Sequence, residues 1–436
     1  MNFDQVAALS VLVAVIAALV WGRLRADVVA LTGAAALLAT GTIRPVEVQA
    51  AFASPALIAL ASLFVIAYAM ELSGLLDFFI RKGTELGRRL GALGVWLVIF
   101  FCGAASAFLN NTPIVVLSAP VVRDVATSLK LSPRRFLIPL SYAAVLGGCC
   151  TLIGTSTNLL VNDMARAAGQ PTFSMFEITG VGVAVALSGG AFMFLFGGRL
   201  LDGRKPSEEP APTVDAGLME AADTATVGHA EVFTQRRPLR PLKAFVSLAV
   251  FVGVVVAATL GWAPIAAAAF AGAVVLILAR VISAEEAYAG LRPEILLLIA
   301  GMVVVGLSLE VTGLAAVATD GLLDWVRPLG PFGALVILYG VTLFLTEALS
   351  NATVAVLVTP VAVALGESLG VDPRPFIVAV MIAASAAFAT PFGYQTNVLV
   401  YQLGGYNYTD FLKVGLPLNL VTWAAAMAAI PVFFPF

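Results

Sequence analysis

An apolar chain that carries the same polar interruption twice, at the same spacing from the same neighbours, can fold in few ways. Ser106, Asn110, Asn111 and Thr112 stand together in an otherwise apolar segment, and Thr346, Ser350, Asn351 and Thr353 repeat the cluster further on. Landmarks around both copies line up at a nearly constant offset. Pro120 matches Pro360, Pro133-Arg134 and Phe136 match Pro373-Arg374 and Phe376, and Glu71 and Gly74 match Glu310 and Gly313. Thr157-Asn158 matches Thr396-Asn397, and Phe176 and Gly180 match Phe411 and Gly415. The chain is one half duplicated, with the polar cluster at the centre of each copy.

Hydrophobic residues make up 60% of the chain and charged residues 11%, with a mean hydropathy of +1.00. Soluble domains hold about 25% charged residues, so this composition specifies a polytopic membrane protein whose surroundings are the lipid bilayer. The net charge of −2 arises from charges gathered in loops and implies no nucleic-acid partner. Three cysteines, two of them adjacent at Cys149-Cys150, fit neither a disulfide framework nor a metal-ligand spacing and read as packing residues. No cofactor is expected. The N-terminal apolar run lacks a basic flank and a small-residue cleavage site, so the first segment is expected to remain as a transmembrane helix.

A bilayer core of about 30 Å needs about 20 apolar residues per helix. That ruler predicts spans near 6–22, 26–42 and 54–73, then a basic amphipathic piece from Arg81-Lys82 to Arg88-Arg89. Two apolar runs of three to four turns, near 94–109 and 113–128, meet at the polar cluster and read as a re-entrant hairpin; a single helix of ~34 residues would overshoot the bilayer by more than ~15 Å. The segment 136–168 is interrupted by Gly147, Gly148, Thr151, Gly154, Thr155, Ser156, Thr157 and Asn158. Such a break is tolerated only where the backbone lines a protein-enclosed site. A span near 174–198 ends the first half, 1–199. Residues 200–241, polar and carrying the single histidine His229, predict a flexible linker. The second half, 242–436, repeats the order: spans near 243–260, 263–281 and 292–312, a hairpin over 331–368, a helix over 375–403 broken between Ala389 and Asn397, and a last span near 410–432.

The expected fold class is an all-α polytopic membrane protein of two inverted repeats, each with five transmembrane helices, one of them broken, plus a re-entrant helical hairpin. An odd number of crossings per copy sets the copies upside down. Placing both termini outside leaves only Arg44, Arg166, Arg327 and Arg374 of the 24 basic residues on the outer side, which satisfies the positive-inside rule for a plasma (inner) membrane protein with a cytoplasmic linker.

Inverted repeats with paired hairpins and broken helices are the architecture of secondary transporters, with the site at mid-membrane. Helix N-termini there suit an anion, and unwound carbonyls suit a small cation. Asn110, Asn111, Thr112, Ser350 and Asn351 add neutral donors and acceptors, and Thr155, Thr157, Asn158, Thr396 and Asn397 form the opposing wall. Buried Asn, Ser and Thr in membranes also serve as interhelical glue at about 0.6 kcal/mol each, but four such clusters at repeat-related positions favour a binding site. No Lys or Arg lies in either tip or break, so an anion there needs co-bound cations as well as helix ends. Importing a dianion against ~100 mV costs roughly 4.6 kcal/mol, and each entering Na+ returns about 2.3 kcal/mol.

At these residues the sequence resembles the divalent anion:sodium symporter family, which carries a Ser-Asn-Thr triplet at each hairpin tip and a Thr-Pro-Pro-Asn-like loop at each break. Here the triplets read Asn110-Asn111-Thr112 and Ser350-Asn351-Ala352, and the loops Thr155-Ser156-Thr157-Asn158 and Tyr394-Gln395-Thr396-Asn397. The resemblance covers nearly the whole chain. It implies one sodium site from Ser106, Asn110, Asn111 and the carbonyl near Gly154, and a second from Thr346, Ser350, Asn351 and the carbonyl near Gly393. It implies substrate binding by Asn111, Thr112 and Asn351 with Thr155 and Thr396, and a homodimer working as an elevator. Ala352 stands where the family has threonine, and neither break has the double proline. The Gly393 to Asn397 run with Gly404-Gly405-Tyr406 looks like the sulfate and sulfur-uptake branch, whose central TrkA-C domains have no room in a linker of about forty residues.

The reading from sequence is therefore a cation-coupled importer of a small inorganic or carboxylate dianion, sulfate or a C4-dicarboxylate, with Na+ as the coupling ion and H+ as the alternative. A cation/proton antiporter or an arsenite-type efflux carrier is the rival within the same superfamily; it needs an essential carboxylate in the core, and Glu347 is the one available, with Ala107 at its place in the first copy. Glu71 and Glu310 lie at helix ends, where acids commonly cap or face water. An enzyme is not expected, since neither paired intramembrane aspartates nor a zinc-protease helix occurs.

Overall fold

The computed structural model describes residues 2–21, 24–75, 78, 82, 90–201, 238–314 and 327–436. Most of the basic piece 81–89, and the linker from 202 to 237 with His229, lie outside the described residues. Among the described residues the fold is helical, without strands.

The first half runs α1 (Phe3–Trp21), α2 (Ala26–Ala39), α3 (Pro45–Phe52), α4 (Pro55–Leu72), α5 (Ala92–Ser106), α6 (Asn111–Ser128), α7 (Arg134–Gly148), α8 (Ser156–Ala167) and α9 (Thr179–Phe192, carried on by a π turn at Met193–Gly197 and a last turn at Gly198–Leu201). The second half runs α10 (Pro241–Thr259), α11 (Ile265–Leu278), α12 (Ala284–Gly290), α13 (Pro293–Val311), α14 (Gly330–Ala348), α15 (Asn351–Ser368), α16 (Arg374–Ala383), α17 (Gln395–Gly404) and α18 (Tyr408–Phe433). The order is the same in both halves. Seven helices among the described residues are long and apolar enough to cross a membrane.

Two features differ from the sequence expectation. The short helices α3 and α12 occupy matching places before the third long helix of each half, and seven or eight residues give too little periodicity to be seen in sequence. Ser283 and Glu286 start α12 with reciprocal cap bonds of 3.1 and 2.8 Å. The hairpin legs are also longer than three to four turns: α5 and α6 have 15 and 18 residues, α14 and α15 have 19 and 18. Pro120 and Pro360 lie inside the second legs, within the runs the sequence placed there.

Packing falls into two regions bridged by α13, which also packs on α15 and α8. In one, α13 lies along α2 and α11 along α4, with α1 and α10 beside them. Leu63, Ile66 and Ala69 of α4 close on Val254 of α10 and Ala269, Ala273 and Leu276 of α11 in a core of their own. In the other, the hairpins pack on the broken helices, and α9 packs on α18. Gly147 lets α7 touch α5: a Cβ there would stand 1.9 Å from the Gly103 carbonyl oxygen.

The last helices run antiparallel. Asp410 at the start of α18 pairs with Arg134 at the start of α7, whereas Phe433 at its end covers Gly180 at the start of α9. Arg374 at the start of α16 in turn pairs with Glu177 just before α9. Each arginine also lies over an aromatic ring, Arg134 over Tyr406 at 5.1 Å and Arg374 over Phe173 at 4.1 Å. A 26-residue α18 spans about 39 Å, so the two arginine–carboxylate pairs tie the halves together at opposite ends of the molecule.

Candidate functional site

The polar centre is built twice from the same local bonds. In the first half α7 stops at Gly148 and α8 resumes at Ser156; in the second α16 stops at Ala383 and α17 resumes at Gln395. Asn158 Nδ2 donates to the carbonyls of Gly148 (3.4 Å) and Thr151 (3.0 Å), and Asn397 Nδ2 to those of Ala387 (2.8 Å) and Thr390 (3.3 Å). The two asparagines thereby satisfy carbonyls freed by the interruption. Thr151 and Thr390 repeat one another: each Oγ1 accepts from the following glycine N–H, Gly154 or Gly393, at 3.1 Å. Each hydroxyl also reaches the carbonyl at a hairpin turn, Thr151 that of Ala107 and Thr390 that of Glu347. Gly154 is required for this approach, since a Cβ would fall 2.5 Å from the Gly148 oxygen and 2.9 Å from the Ala107 oxygen.

The tips match as well. Ser106 Oγ bonds Asn111 Oδ1, and Thr346 Oγ1 lies 2.7 Å from the Ala384 carbonyl and 2.9 Å from the Asn351 amide, all four tip residues being buried. Asn110 caps α6 by accepting from the Thr112 N–H at 3.2 Å, and Ser350 caps α15 by accepting from the Thr353 N–H at 3.2 Å. Hairpin 1 then crosses to the other half. Asn111 Nδ2 donates to the Tyr394 hydroxyl at 3.0 Å, and Thr112 Oγ1 to Gln395 Oε1 at 3.2 Å. Thr155 reaches the same phenol. The N-terminus of α6 therefore meets that of α17, with donors from both halves between them.

Of the residues expected in the first cation site, Asn110 and Gly154 line one crevice with Ser156, Leu60, Phe64 and Phe108, between the hairpin group and α4. In the second, Thr346 and Asn351 are joined, but the exposed Ser350 hydroxyl turns to Thr353 at 2.7 Å. Thr396 and Asn397 both lie 2.7 Å from Ser141 Oγ on α7, fastening the two broken helices to each other. Thr155 caps α8 through the Thr157 N–H at 3.4 Å. Asn158 Oδ1, Asn351 Nδ2, Ser385 Oγ in the second break and Asn419 Oδ1 beside Glu347 are buried polar atoms of the centre without a hydrogen-bond partner.

Glu347 is bound more heavily than its sequence position indicated. Its Oε1 accepts from the N–H groups of Phe388 (2.9 Å) and Ala389 (2.7 Å) and from Asn419 Nδ2 (2.8 Å). Its Oε2 accepts from the Thr390 N–H and Oγ1, both at 2.9 Å. Five donors make it the anchor of the second break on hairpin 2. Thr151, Thr390, Tyr394 and Gln395, which the sequence places in the breaks without assigning them a role, and Ser141 on α7 are further residues of the centre. The repeat offset relating Thr151 to Thr390 is the signal that points to their common role.

A helical membrane protein whose hairpin tips and helix breaks join two like halves through neutral hydrogen-bonding side chains is a membrane transporter, not an enzyme. The chain matches the citrate transporter family, CitMHS, over residues 16–370 and 349–436, and belongs to it. It is 25% identical to the uncharacterized transporter YfbS of Escherichia coli over the full length of both chains, in an alignment of 613 positions. It is 24% identical to a putative sulfur deprivation response regulator of Chlamydomonas reinhardtii, over 94% of this chain and 98% of the relative. It is 33% identical to sodium/sulfate cotransporter 1 of the same alga over 149 residues, which is 34% of this chain and 17% of the relative. Among solved structures, MtrF of Neisseria gonorrhoeae, described with a class of antimetabolite efflux pumps, shares the fold with a TM-score of 0.60, 14% identity and coverage of 89% and 83% of the two chains. The YdaH transporter of Alcanivorax borkumensis follows with 0.53, 16%, 88% and 86%.

Proposed function

We propose that the protein is a secondary active transporter that imports a small divalent anion, sulfate or a C4-dicarboxylate, coupled to Na+, by elevator-type alternating access. The observation that carries this reading is the junction of Asn111 and Thr112 with Tyr394 and Gln395, which brings two helix N-termini from different halves to one point. N–H groups at helix starts and neutral amides and hydroxyls favour a dianion without a fixed positive charge to trap it. Oxygen donors of Ser106, Asn110, Asn111 and the Gly154 carbonyl, and of Thr346, Ser350, Asn351 and the Gly393 carbonyl, are the hard ligands a small cation prefers. Substrate contacts fall to Asn111, Thr112, Asn351, Thr155 and Thr396. The names of the algal sodium/sulfate cotransporters support Na+ and sulfate, and the family's description supports a carboxylate.

Elevator movement is supported by the second core that α4 closes with α10 and α11, apart from the hairpins and broken helices. The antiparallel α9 and α18 support inverted halves, which place both termini on one side and the linker on the other; the distribution of basic residues supports outside for the termini. A homodimer follows from the resemblance. Proton antiport through Glu347 is the weaker reading, because its oxygens are engaged by five donors.

The test is uptake of labelled sulfate and succinate into proteoliposomes under an inward Na+ gradient, an inward H+ gradient, or neither. Na+-driven accumulation of either anion is expected. Accumulation driven by H+ alone would move the coupling elsewhere, and export against an outward gradient would replace the importer with an efflux carrier.

A further inference from the structure

Among the described residues, the ion pairs around the hairpins and broken helices are closed within that region. Arg134 with Asp410 joins α7 to α18, Arg374 with Glu177 joins α16 to the segment before α9, and Arg166 with Asp163 lies within α8. Between described residues, the hydrogen bonds that run from α1–α4 or α10–α13 to the hairpins and broken helices all converge on one side chain, Ser54. It stands just before α4, whose later turns form the second core with α10 and α11.

Ser54 Oγ accepts from the Ala56 N–H at 3.1 Å as the cap of α4, and donates to Asp163 Oδ1 on α8 at 2.7 Å. The same carboxylate oxygen accepts from Arg166 Nε at 3.1 Å and Nη2 at 2.9 Å, and that Nη2 lies 3.4 Å from Ser54 Oγ. Ser54 and Asp163 are buried, whereas the Arg166 side chain is 38% exposed. When α8 parts from α4, Asp163 keeps the arginine of its own helix and only the hydroxyl is released, so the contact opens without leaving a charge unpaired. A hydroxyl bonded to a carboxylate in a dry contact is strong enough to hold one conformation and weak enough to let it go.

The second half carries no copy of this contact. Gln402 and Gly405 stand at the places of Asp163 and Arg166, and the residue before the proline that opens α13 is Arg292, where Ser54 precedes Pro55. In a transporter built from inverted halves, turning from one side of the membrane to the other exchanges the arrangements of the halves. A bond present in one half alone therefore favours one of the two facings.

We propose that Ser54, Asp163 and Arg166 form a conformational lock, which holds the first broken helix against α4 in this conformation, opens once in each transport cycle and sets the rate of that cycle. The proposal rests on the transport reading above.

The experiment removes the lock from either side. Ser54→Ala deletes the hydroxyl; Asp163→Ala deletes the acceptor and leaves Ser54 to cap α4. Each is expected to raise the maximal rate of Na+-driven uptake into proteoliposomes about tenfold, and the double variant to raise it no further. A contact that serves stability alone would lower the unfolding temperature and leave the maximal rate unchanged or reduced, and that result in both single variants overturns the proposal. A second measurement needs no transport. Leu159 on α8 is 3% exposed and lines the crevice towards Leu60 of α4. In purified Leu159→Cys protein, labelling by N-ethylmaleimide, over the background of Cys102, Cys149 and Cys150, is expected to run about tenfold faster once Ser54→Ala is added. Faster labelling in a protein that takes up neither sulfate nor succinate upholds the lock and removes the transport reading. Equal labelling with and without Ser54→Ala overturns the lock.

Discussion

At the residue scale, the tip asparagines and Glu347 bear different kinds of load. Asn111 and Asn351 each rest their amide against a hydroxyl of their own hairpin, Ser106 or Thr346, and Asn111 Nδ2 also donates to the Tyr394 phenol, an acceptor that an arriving anion would replace. A hydrogen bond to a charged group is worth about 1.5–3 kcal/mol, so replacing either by alanine is expected to weaken anion uptake by roughly 10- to 150-fold. Initial rates in proteoliposomes check this, and near-normal uptake in both variants would remove them from the site. Glu347, in contrast, is a structural acceptor. Glu347→Gln sets an amide NH2 against N–H donors that the carboxylate now satisfies, and the expected loss of about 1–3 kcal/mol lowers the unfolding temperature of the detergent-purified protein. An unchanged unfolding temperature would show that the second break holds without it.

At the element scale, the breaks and the hairpins specify one another. Local caps place the ends of the interruptions, Thr155 before α8 and Asn110 before α6. The breaks persist because Asn158 and Asn397 satisfy carbonyls that a bilayer would leave without partners. Contact between elements then depends on residues with no side chain at all. Gly147→Ala would drive a Cβ to 1.9 Å from the Gly103 carbonyl oxygen, backbone against backbone, with no flexible group to yield. The expected outcome is loss of monodisperse folded protein, read by fluorescence-detected size exclusion. The sequence made these interruptions legible through glycine, threonine and asparagine in an apolar run. It left α3 and α12 unread because helices of seven or eight residues carry too little pattern.

At the scale of the whole molecule, the two halves are joined by an arginine–carboxylate pair at each end of α18, and burial separates their worth. The Arg134 and Asp410 side chains are 7% and 8% exposed, those of Arg374 and Glu177 18% and 33%. Removing one partner of the buried pair leaves an uncompensated charge, so Asp410→Asn should cost about 3–5 kcal/mol. Glu177→Gln, at the more solvated pair, should cost about 1 kcal/mol or less. Thermal unfolding of the two variants tests the order. Topology gives a second test at this scale: with both termini outside, a cysteine at Thr172 is expected to react with a membrane-impermeant thiol reagent in intact cells, and one at Ser132 only after permeabilisation. Both positions are exposed in loops of the first half. The reverse pattern would invert the protein in its membrane.

The sequence by itself determined the class, the order of elements and the location of the polar clusters, because hydropathy, helix caps and internal duplication are properties of residues near one another along the chain. It also singled out Asn111 and Asn351 through their repeat relation. Only the tertiary structure decided which tip meets which break. Asn111 and Tyr394 stand 283 residues apart, and many residues could complete a hydrogen bond with either of them. Glu347 likewise has an ordinary sequence neighbourhood and acquires its role from Phe388, Ala389, Thr390 and Asn419 folded around it. Residue type fixes what a side chain can bond; the packing of the helices fixes which partner it finds.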